Sequence, residues 1–297
     1  MINERAREES EGLILRIQDA LSRAIDVLKK DQIETARLDA EILLAHVFNC
    51  ERYQLYLRFD EDITLNQYNE FMDLVEKRLA RWPVAYLINK KEFMSMEFYV
   101  TPEVLIPRPD TELLVEKSME IIKKIDREVL VVDVGTGSGA IAVSLAHFMN
   151  NVQVIATDIS EGALKVAKEN AKRHGVIENI TFLQEDLLNS ILQNFFCVDI
   201  IIANLPYIPT GEIKLLSEEV QKEPITALDG GIDGLEYYNK LLGQAYLALE
   251  KGYLLLEIGH GQAKKIFDLA GGGWKKKLYY DLAGRERVIV LERVCAG

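Results

Sequence analysis

Residues 129–139 read VLVVDVGTGSG. An unbroken apolar run gives way to three glycines at alternate positions. The run predicts a β-strand covered on both faces, as in a parallel sheet. The glycines predict a tight turn whose backbone approaches a ligand closely. AIAVSLAHF (140–148) follows with helical character, so the stretch reads as strand, glycine turn, helix. That is the opening unit of an open α/β fold.

Downstream, strands and helices alternate. VQVIATD (152–158), NITFLQED (179–186), CVDIIIAN (197–204) and GYLLLEIG (252–259) read as strands. GALKVAKENAKRH (162–174), stopped by Gly175, and GLEYYNKLLGQAYLALE (234–250) read as helices. The tail KKLYYDLAGRERVIVLERV (276–294) reads as two strands joined by a turn. With no helix between them, one of the pair is expected to be antiparallel. The expected fold is α/β: a doubly wound, mainly parallel sheet with an antiparallel last strand.

Upstream, residues 11–82 show helical periodicity only. Leu13, Ile14, Ile17, Leu21, Ile25 and Leu28 share one face. Leu38, Ile42, Leu43, Val47 and Phe48 share another. Thr64 can cap a third helix, which must end near Trp82 because Pro83 follows. Tyr53, Tyr56 and Trp82 are read as bundle core. EFMSMEFYV (92–100) alternates and suggests a hairpin; Pro102, Pro107 and Pro109 then stiffen the chain. DTELLVEKSMEIIKKI (110–125) reads as a helix capped by Asp110 or Thr111. The expected organisation is a helical bundle over 1–83, an extended linker over 84–109 and an α/β domain over 110–297.

The chain has 297 residues, 48% hydrophobic and 28% charged, with net charge −12. The composition is globular. The acidity disfavours direct binding of nucleic acid. Cys50, Cys197 and Cys295 are far apart, and His46, His147, His174 and His260 are scattered. Neither a disulfide framework nor a metal site is expected. The N-terminal segment MINERAREESEG is polar, and no apolar run has the length of a membrane span. A cytoplasmic monomer without metal or membrane attachment is expected.

Two positions carry the chemistry. The glycine turn, with Asp158 at the end of the next strand, predicts an adenosine-containing ligand whose ribose hydroxyls the acid accepts. GTGSGA also satisfies a dinucleotide pattern, so a nicotinamide cofactor remains open at this point. Asp133 favours a cationic sulfonium over a pyrophosphate, because like charges repel. Asn204-Leu205-Pro206-Tyr207 follows a later strand, at the carboxyl edge of the sheet where such folds bind ligands.

DVGTGSG, Asp158 and NLPY together resemble the class I S-adenosylmethionine-dependent methyltransferases that act on a planar nitrogen. RLDAEILLAHVF (37–48), LIPRPDTELLVE (105–116), EPITALDGGIDGL (223–235) and LEIGHGQ (256–262) narrow the resemblance. They look like the protein-(glutamine-N5) methyltransferases of peptide chain release factors, the HemK/PrmC type, along nearly the whole chain. The resemblance implies S-adenosylmethionine as cofactor and S-adenosylhomocysteine as product. Gly135, Thr136, Gly137, Ser138 and Gly139 would pack on its methionine and ribose parts. Asp158 would hold the ribose, and Asp186 and Leu187 the adenine. Asn204 and the Leu205 carbonyl would accept the two N–H bonds of a glutamine amide, with Pro206 shaping the slot and Tyr207 stacking on it. Arg108 and Thr111 would help close the pocket over substrate. The implied target is the glutamine of the Gly-Gly-Gln loop of a release factor, which the bundle would help to recognise.

Leu205 stands where that family has the first proline of Asn-Pro-Pro-Tyr, and Asn89 where it has glycine. A proline at 205 would hold Asn204 extended. Leucine lifts that restriction and keeps the carbonyl. The competing expectations are a methyltransferase of exocyclic amines on DNA or RNA bases, and a binding protein with a degenerate site.

Overall fold

The computed structural model describes residues 15–193 and 198–294. Leu13, Ile14, Cys197 and Cys295 lie outside the described residues. The chain forms two compact units. One comprises residues up to Asn89 together with Glu218–Lys222; the other comprises Lys90–Ser217 and Glu223 onward. The boundary thus falls after the short helix that the sequence reading had placed in a linker. The hairpin of that linker belongs to the second unit.

The first unit holds helices α1 (Ile17–Lys30), α2 (Ala36–Val47), α3 (Arg52–Leu55), α4 (Leu65–Leu79) and α5 (Val84–Leu87). Ile17, Ala20, Ala24, Leu28, Leu43, Leu44 and Phe71 form its core. Thr64 caps α4 as expected: its hydroxyl accepts from the Gln67 N–H at 3.3 Å, and Gln67 Oε1 accepts from the Thr64 N–H at 3.2 Å. Two expectations fail here. Leu38 is exposed, because α2 turns Ala36, Ala40 and Leu43 inward and buries Asp39 with them. Asp39 sits there because buried Arg78 pairs with it at 2.7 Å. Tyr53 and Tyr56 are 66% and 44% exposed, so neither is core. Tyr53 lies within α3 and Tyr56 at its C-terminal cap, and a single turn is too short to bury both of its sides. Glu218–Lys222 joins this unit through Arg78 to Glu219, Arg81 to Glu218 and Lys222 over the Trp82 ring.

The second unit opens with a hairpin, β1 (Lys90–Phe93) and β2 (Met96–Tyr99). Its two turn residues, Met94 and Ser95, both have positive φ, as a type I′ turn requires. Strands β3 (Val129–Val134), β4 (Val152–Asp158), β5 (Ile180–Gln184), β6 (Ile200–Ala203), β7 (Tyr253–Glu257), β8 (Trp274–Tyr280) and β9 (Glu286–Arg293) form one sheet. Its order is β5-β4-β3-β6-β7-β9-β8. The first five run parallel, while β9 runs antiparallel to both β7 and β8. The last strand is therefore the reversed one.

Val129, Val131, Val154, Ile200 and Ile202 point to one face. There they meet Leu114, Val115 and Ile122 of α6 (Glu112–Ile122) and residues of α7 (Ala140–Phe148). Val132, Val134, Ile201, Leu254 and Leu256 point to the other face, toward Tyr238, Leu241 and Ala245 of α10 (Glu236–Ala248) and Ile266 of α11 (Ala263–Ala270). Helices α8 (Glu161–Arg173) and α9 (Asn189–Gln193) complete the described α elements. The period of two along β3 is what divides the core in two. The chain passes from β3 outward through β4 and β5, then back to β6 on β3's other side. That switch opens a crevice at the carboxyl ends of β3, β4 and β6.

Candidate active site

The crevice is lined by the glycine turn, the end of β4, residues 185–187, the loop after β6 and residues 105–111. Gly135, Gly137 and Gly139 all have φ between 55° and 79°. The turn therefore winds left-handedly at three positions, which side-chain-bearing residues resist. At Gly135 a Cβ would also come within 3.1 Å of Leu205 Cδ2. The two predicted motifs thus meet through that glycine.

Asp158 reaches the turn: its Oδ2 accepts from the Gly137 N–H at 2.9 Å and its Oδ1 from the Ser160 N–H at 2.9 Å. Each oxygen keeps a lone pair for a ribose hydroxyl. Burial raises its pKa, against those backbone bonds. Thr136, Ser138, Asp186 and Leu187 also line the crevice. Glu185 lies beside them with a buried Oε1 that has no partner among the described residues. Sequence reading had passed over this acid for its neighbour Asp186.

Asp133 is not on the crevice wall. Its carboxylate is fully buried under the turn. It accepts the Thr136 hydroxyl at 2.7 Å and the Ala142 N–H at 3.2 Å. Desolvation pushes its pKa up to about 7. Its work is to hold the turn on the first turn of α7, not to face a sulfonium. Asn170 of α8 braces the turn from outside, donating to the Ser138 carbonyl at 2.8 Å and the Tyr99 carbonyl at 2.9 Å.

The loop after β6 places Asn204, Leu205 and Pro206 on the crevice wall. Asn204 Nδ2 donates to Thr111 Oγ1 at 3.2 Å; its Oδ1 accepts nothing among the described residues. The Tyr238 hydroxyl donates to the Glu257 carbonyl at 2.6 Å and lies 3.2 Å from the Leu205 carbonyl. A hydroxyl has one proton, and the shorter contact takes it. The Leu205 carbonyl therefore keeps accepting capacity.

Tyr207 is not on the wall; it turns toward a buried polar cluster beneath the loop. Gln262 donates to its carbonyl at 3.0 Å. A Cβ on Gly230 would lie 2.8 Å from Tyr207 Cα, one on Gly234 2.3 Å from its carbonyl oxygen, and one on Gly259 3.2 Å from its ring. The motifs EPITALDGGIDGL and LEIGHGQ thus hold the Asn-Leu-Pro-Tyr loop by close backbone approach. Burial raises the Tyr207 pKa to about 12, and nearby Glu257 adds to the shift, so the phenol stays neutral.

Arg108 lines the crevice and pairs with Glu223. Glu223 is buried, and its other oxygen accepts the Ile106 N–H at 3.1 Å. The pair is therefore anchored at its acid end. Thr111 does not cap α6. Its hydroxyl instead accepts from Asn204 Nδ2. Glu257 is 1% exposed, and burial pushes its pKa up to about 7. The signal that could have revealed it is a lone acid closing the apolar run YLLLE.

The crevice suits S-adenosylmethionine. It pairs a left-handed glycine cradle with an acid at the β4 end, an unpartnered acid oxygen at Glu185 and an uncommitted acceptor, Asn204 Oδ1, on the loop after β6.

Residues 19–88 match the family described as the PrmC N-terminal domain, and residues 125–242 match a methyltransferase domain. The release factor glutamine methyltransferase of Moorella thermoacetica is 41% identical over 283 residues, covering 94% of this chain and 99% of that protein. The one of Geobacter sulfurreducens is 38% identical, covering 82% and 84%. Among solved structures, the hMettl16 catalytic domain in complex with a MAT2A 3'UTR hairpin superposes with TM-score 0.54 at 16% identity. That match covers 73% of this chain and 81% of that one. A methyltransferase from Pyrococcus furiosus gives TM-score 0.50 at 18% identity, covering 74% and 99%. At such identities these structures speak to the fold, that of the class I methyltransferases. The full-length relatives speak to the family: this chain belongs to the release factor glutamine methyltransferases.

Proposed function

We propose that this chain methylates the side-chain amide nitrogen of the glutamine in the Gly-Gly-Gln loop of a peptide chain release factor. The observation that carries the reading is that Asn204 and Leu205 share one crevice wall with the glycine turn, Asn204 Oδ1 accepting nothing among the described residues and the Leu205 carbonyl, 3.2 Å from the Tyr238 hydroxyl, keeping a second lone pair. A primary amide presents two N–H donors in one plane, and two fixed acceptors suit that shape.

The Gly135–Gly139 turn, Asp158, Asp186 and Leu187 would hold S-adenosylmethionine, which would supply an electrophilic methyl on a sulfonium. An amide nitrogen is a poor nucleophile because its lone pair is delocalised. Asn204 and Leu205 orient both N–H bonds so that this lone pair faces the methyl. They also stabilise positive charge as it develops on nitrogen. Positioning of this kind supplies up to about 7–11 kcal/mol of a barrier in ideal cases. Tyr207 is no base, since its phenol holds its proton to about pH 12. As the N–C bond forms, the S–CH3 bond would break with its electron pair returning to sulfur, S-adenosylhomocysteine would be the leaving group, and the surplus proton on nitrogen would go to water. Arg108, anchored by Glu223, sits at the rim and helps hold the incoming loop.

Mass spectrometry of a purified release factor, incubated with this protein and S-adenosylmethionine, tests the reading. One added methyl on the loop glutamine is expected. A parallel incubation with nucleic acid should give no transfer.

A further inference from the structure

Two large apolar side chains stand in the open beside the crevice. Ile232 is 95% exposed and Ile225 60%. Single surface isoleucines are ordinary. These two differ in how they are mounted.

Ile232 is the tip of a turn whose feet are Gly230 and Gly234. A Cβ on Gly230 would lie 2.7 Å from the Pro206 carbonyl oxygen, and one on Gly234 2.3 Å from the Tyr207 carbonyl oxygen. Both feet thus stand on the backbone of the Asn-Leu-Pro-Tyr loop, and Pro206 lines the crevice. The segment leading to the turn is zipped to the continuation of that loop. The Ile208 N–H donates to the Leu228 carbonyl at 3.1 Å, the Gly230 N–H to the Ile208 carbonyl at 2.8 Å and the Thr210 N–H to the Gly231 carbonyl at 2.9 Å. Asp229 Oδ1 accepts the Thr210 hydroxyl at 2.7 Å and the Gly231 N–H at 3.0 Å. At the other end of the segment, the Ile225 carbonyl accepts the Leu228 and Asp229 N–H groups at 3.0 and 2.9 Å. The adjacent Pro224 and Thr226 line the crevice.

We infer that Ile225 and Ile232 are docking anchors for the substrate protein, received by an apolar surface beside the glutamine loop of the release factor. The inference deepens the reading above and rests on it.

Continuity with the crevice selects this occupant. The crevice takes one side chain, whereas a specific protein complex buries about 800 Å² of each partner. A protein that delivers a loop glutamine to Asn204 must therefore rest on the rim, where these two residues are fixed. Their mount is braced by backbone bonds, so they lose little freedom on docking, as a binding hot spot requires. It is also the mount of the Asn-Leu-Pro-Tyr loop, so a partner seated on Ile232 is in register with Asn204 and the Leu205 carbonyl. Charge narrows the match. Asp233, next to Ile232, is exposed, and the chain carries a net charge of −12. A polyanion such as an RNA backbone or an acidic bilayer is repelled, and an apolar surface with basic neighbours is favoured.

The test uses the full chain, with intact release factor as the varied substrate and saturating S-adenosylmethionine. Ile232→Ser should raise KM for the release factor roughly 5–30-fold, the worth of one apolar anchor. Both kcat and cofactor affinity should stay within twofold. Ile225→Ser should raise KM in the same sense, and Ile232→Leu should keep the parental value. Leu247, 72% exposed near the far end of α10, is the control: Leu247→Ser should leave KM unchanged. Melting curves report folding separately. A fall in kcat at parental KM would make the turn a support for the loop only and overturn the docking role. A parent that self-associates through Ile232, with release-factor KM unmoved by Ile232→Ser, would assign the tip to a second copy and overturn it likewise. A parent that methylates glutamine while both serine variants keep its KM overturns the docking surface alone. A parent that methylates no glutamine overturns the substrate reading and the docking surface with it.

Discussion

Gly234→Ala should damage the active-site loop from a position outside the crevice wall. Gly234 has φ +73°, and a Cβ there would lie 2.3 Å from the Tyr207 carbonyl oxygen and 2.9 Å from Gln262 Nε2. The left-handed backbone costs an alanine about 1–2 kcal/mol. The clash costs about 1–3 kcal/mol more, because the carbonyl belongs to backbone that Gly230 also crowds. Displacing it strains the 3.0 Å bond from Gln262, worth about 0.5–1.5 kcal/mol. The total is roughly 2.5–6.5 kcal/mol. Two other glycines calibrate it. Gly175 has φ +70° with nothing within 4 Å of a Cβ, so Gly175→Ala should cost the backbone term alone. Gly211 has neither constraint, so Gly211→Ala should be neutral or slightly stabilising. Urea denaturation gives the three stabilities; methyl transfer and calorimetry give function. Gly234→Ala should lose most turnover on release factor under conditions where it remains folded and binds cofactor. If it is as stable as Gly175→Ala and within twofold of parental turnover, the close packing on Tyr207 does not hold the loop.

Asp158→Ala should weaken S-adenosylmethionine binding by about 1.5–3 kcal/mol, read by calorimetry; unchanged affinity in a folded variant would remove Asp158 from the site. Leu205→Pro should leave turnover within a few-fold of the parent or raise it, because the accepting carbonyl stays and Asn204 is held extended; a collapse with cofactor binding intact would show a loop geometry unlike the family's. Asp133 predicts a pH dependence of stability. Its folded pKa of about 7 lies above its unfolded value near 3.8, so its contribution favours folding at low pH and is lost as pH rises toward 7. Asp133→Asn mimics the protonated form and should flatten that slope, by on the order of 4 kcal/mol between pH 4 and 8. Parallel stability–pH curves for variant and parent would contradict it.

What could be read from sequence follows from how local each signal is. The β3 run and its glycines sit within eleven residues, and their period and spacing report burial and backbone angle directly. Thr64 and Gln67 lie three residues apart and cap as read. Thr111 misled because its local environment is that of a cap, while its partner lies at position 204. Asp133 misled likewise: its strand-end position is legible, but the direction of its side chain depends on Thr136 and Ala142 folding over it. The type and spacing of Tyr53 and Tyr56 predict core, and both are exposed. Burial in a one-turn helix depends on neighbours that the spacing does not encode. Glu223 and Gln262 stood in recognised motifs, yet their roles appear only once distant segments come together at Ile106 and Tyr207.

The central claim is that Asn204 and the Leu205 carbonyl aim a glutamine amide at the methyl donor. Single-turnover methyl transfer to an intact release factor, followed by mass spectrometry of the Gly-Gly-Gln peptide, tests it most directly when parent and Asn204→Ala are run side by side. The account predicts one methyl on the glutamine with the parent, and a rate lower by on the order of 10²–10³ with Asn204→Ala at near-parental cofactor affinity. Near-parental transfer by Asn204→Ala would contradict it.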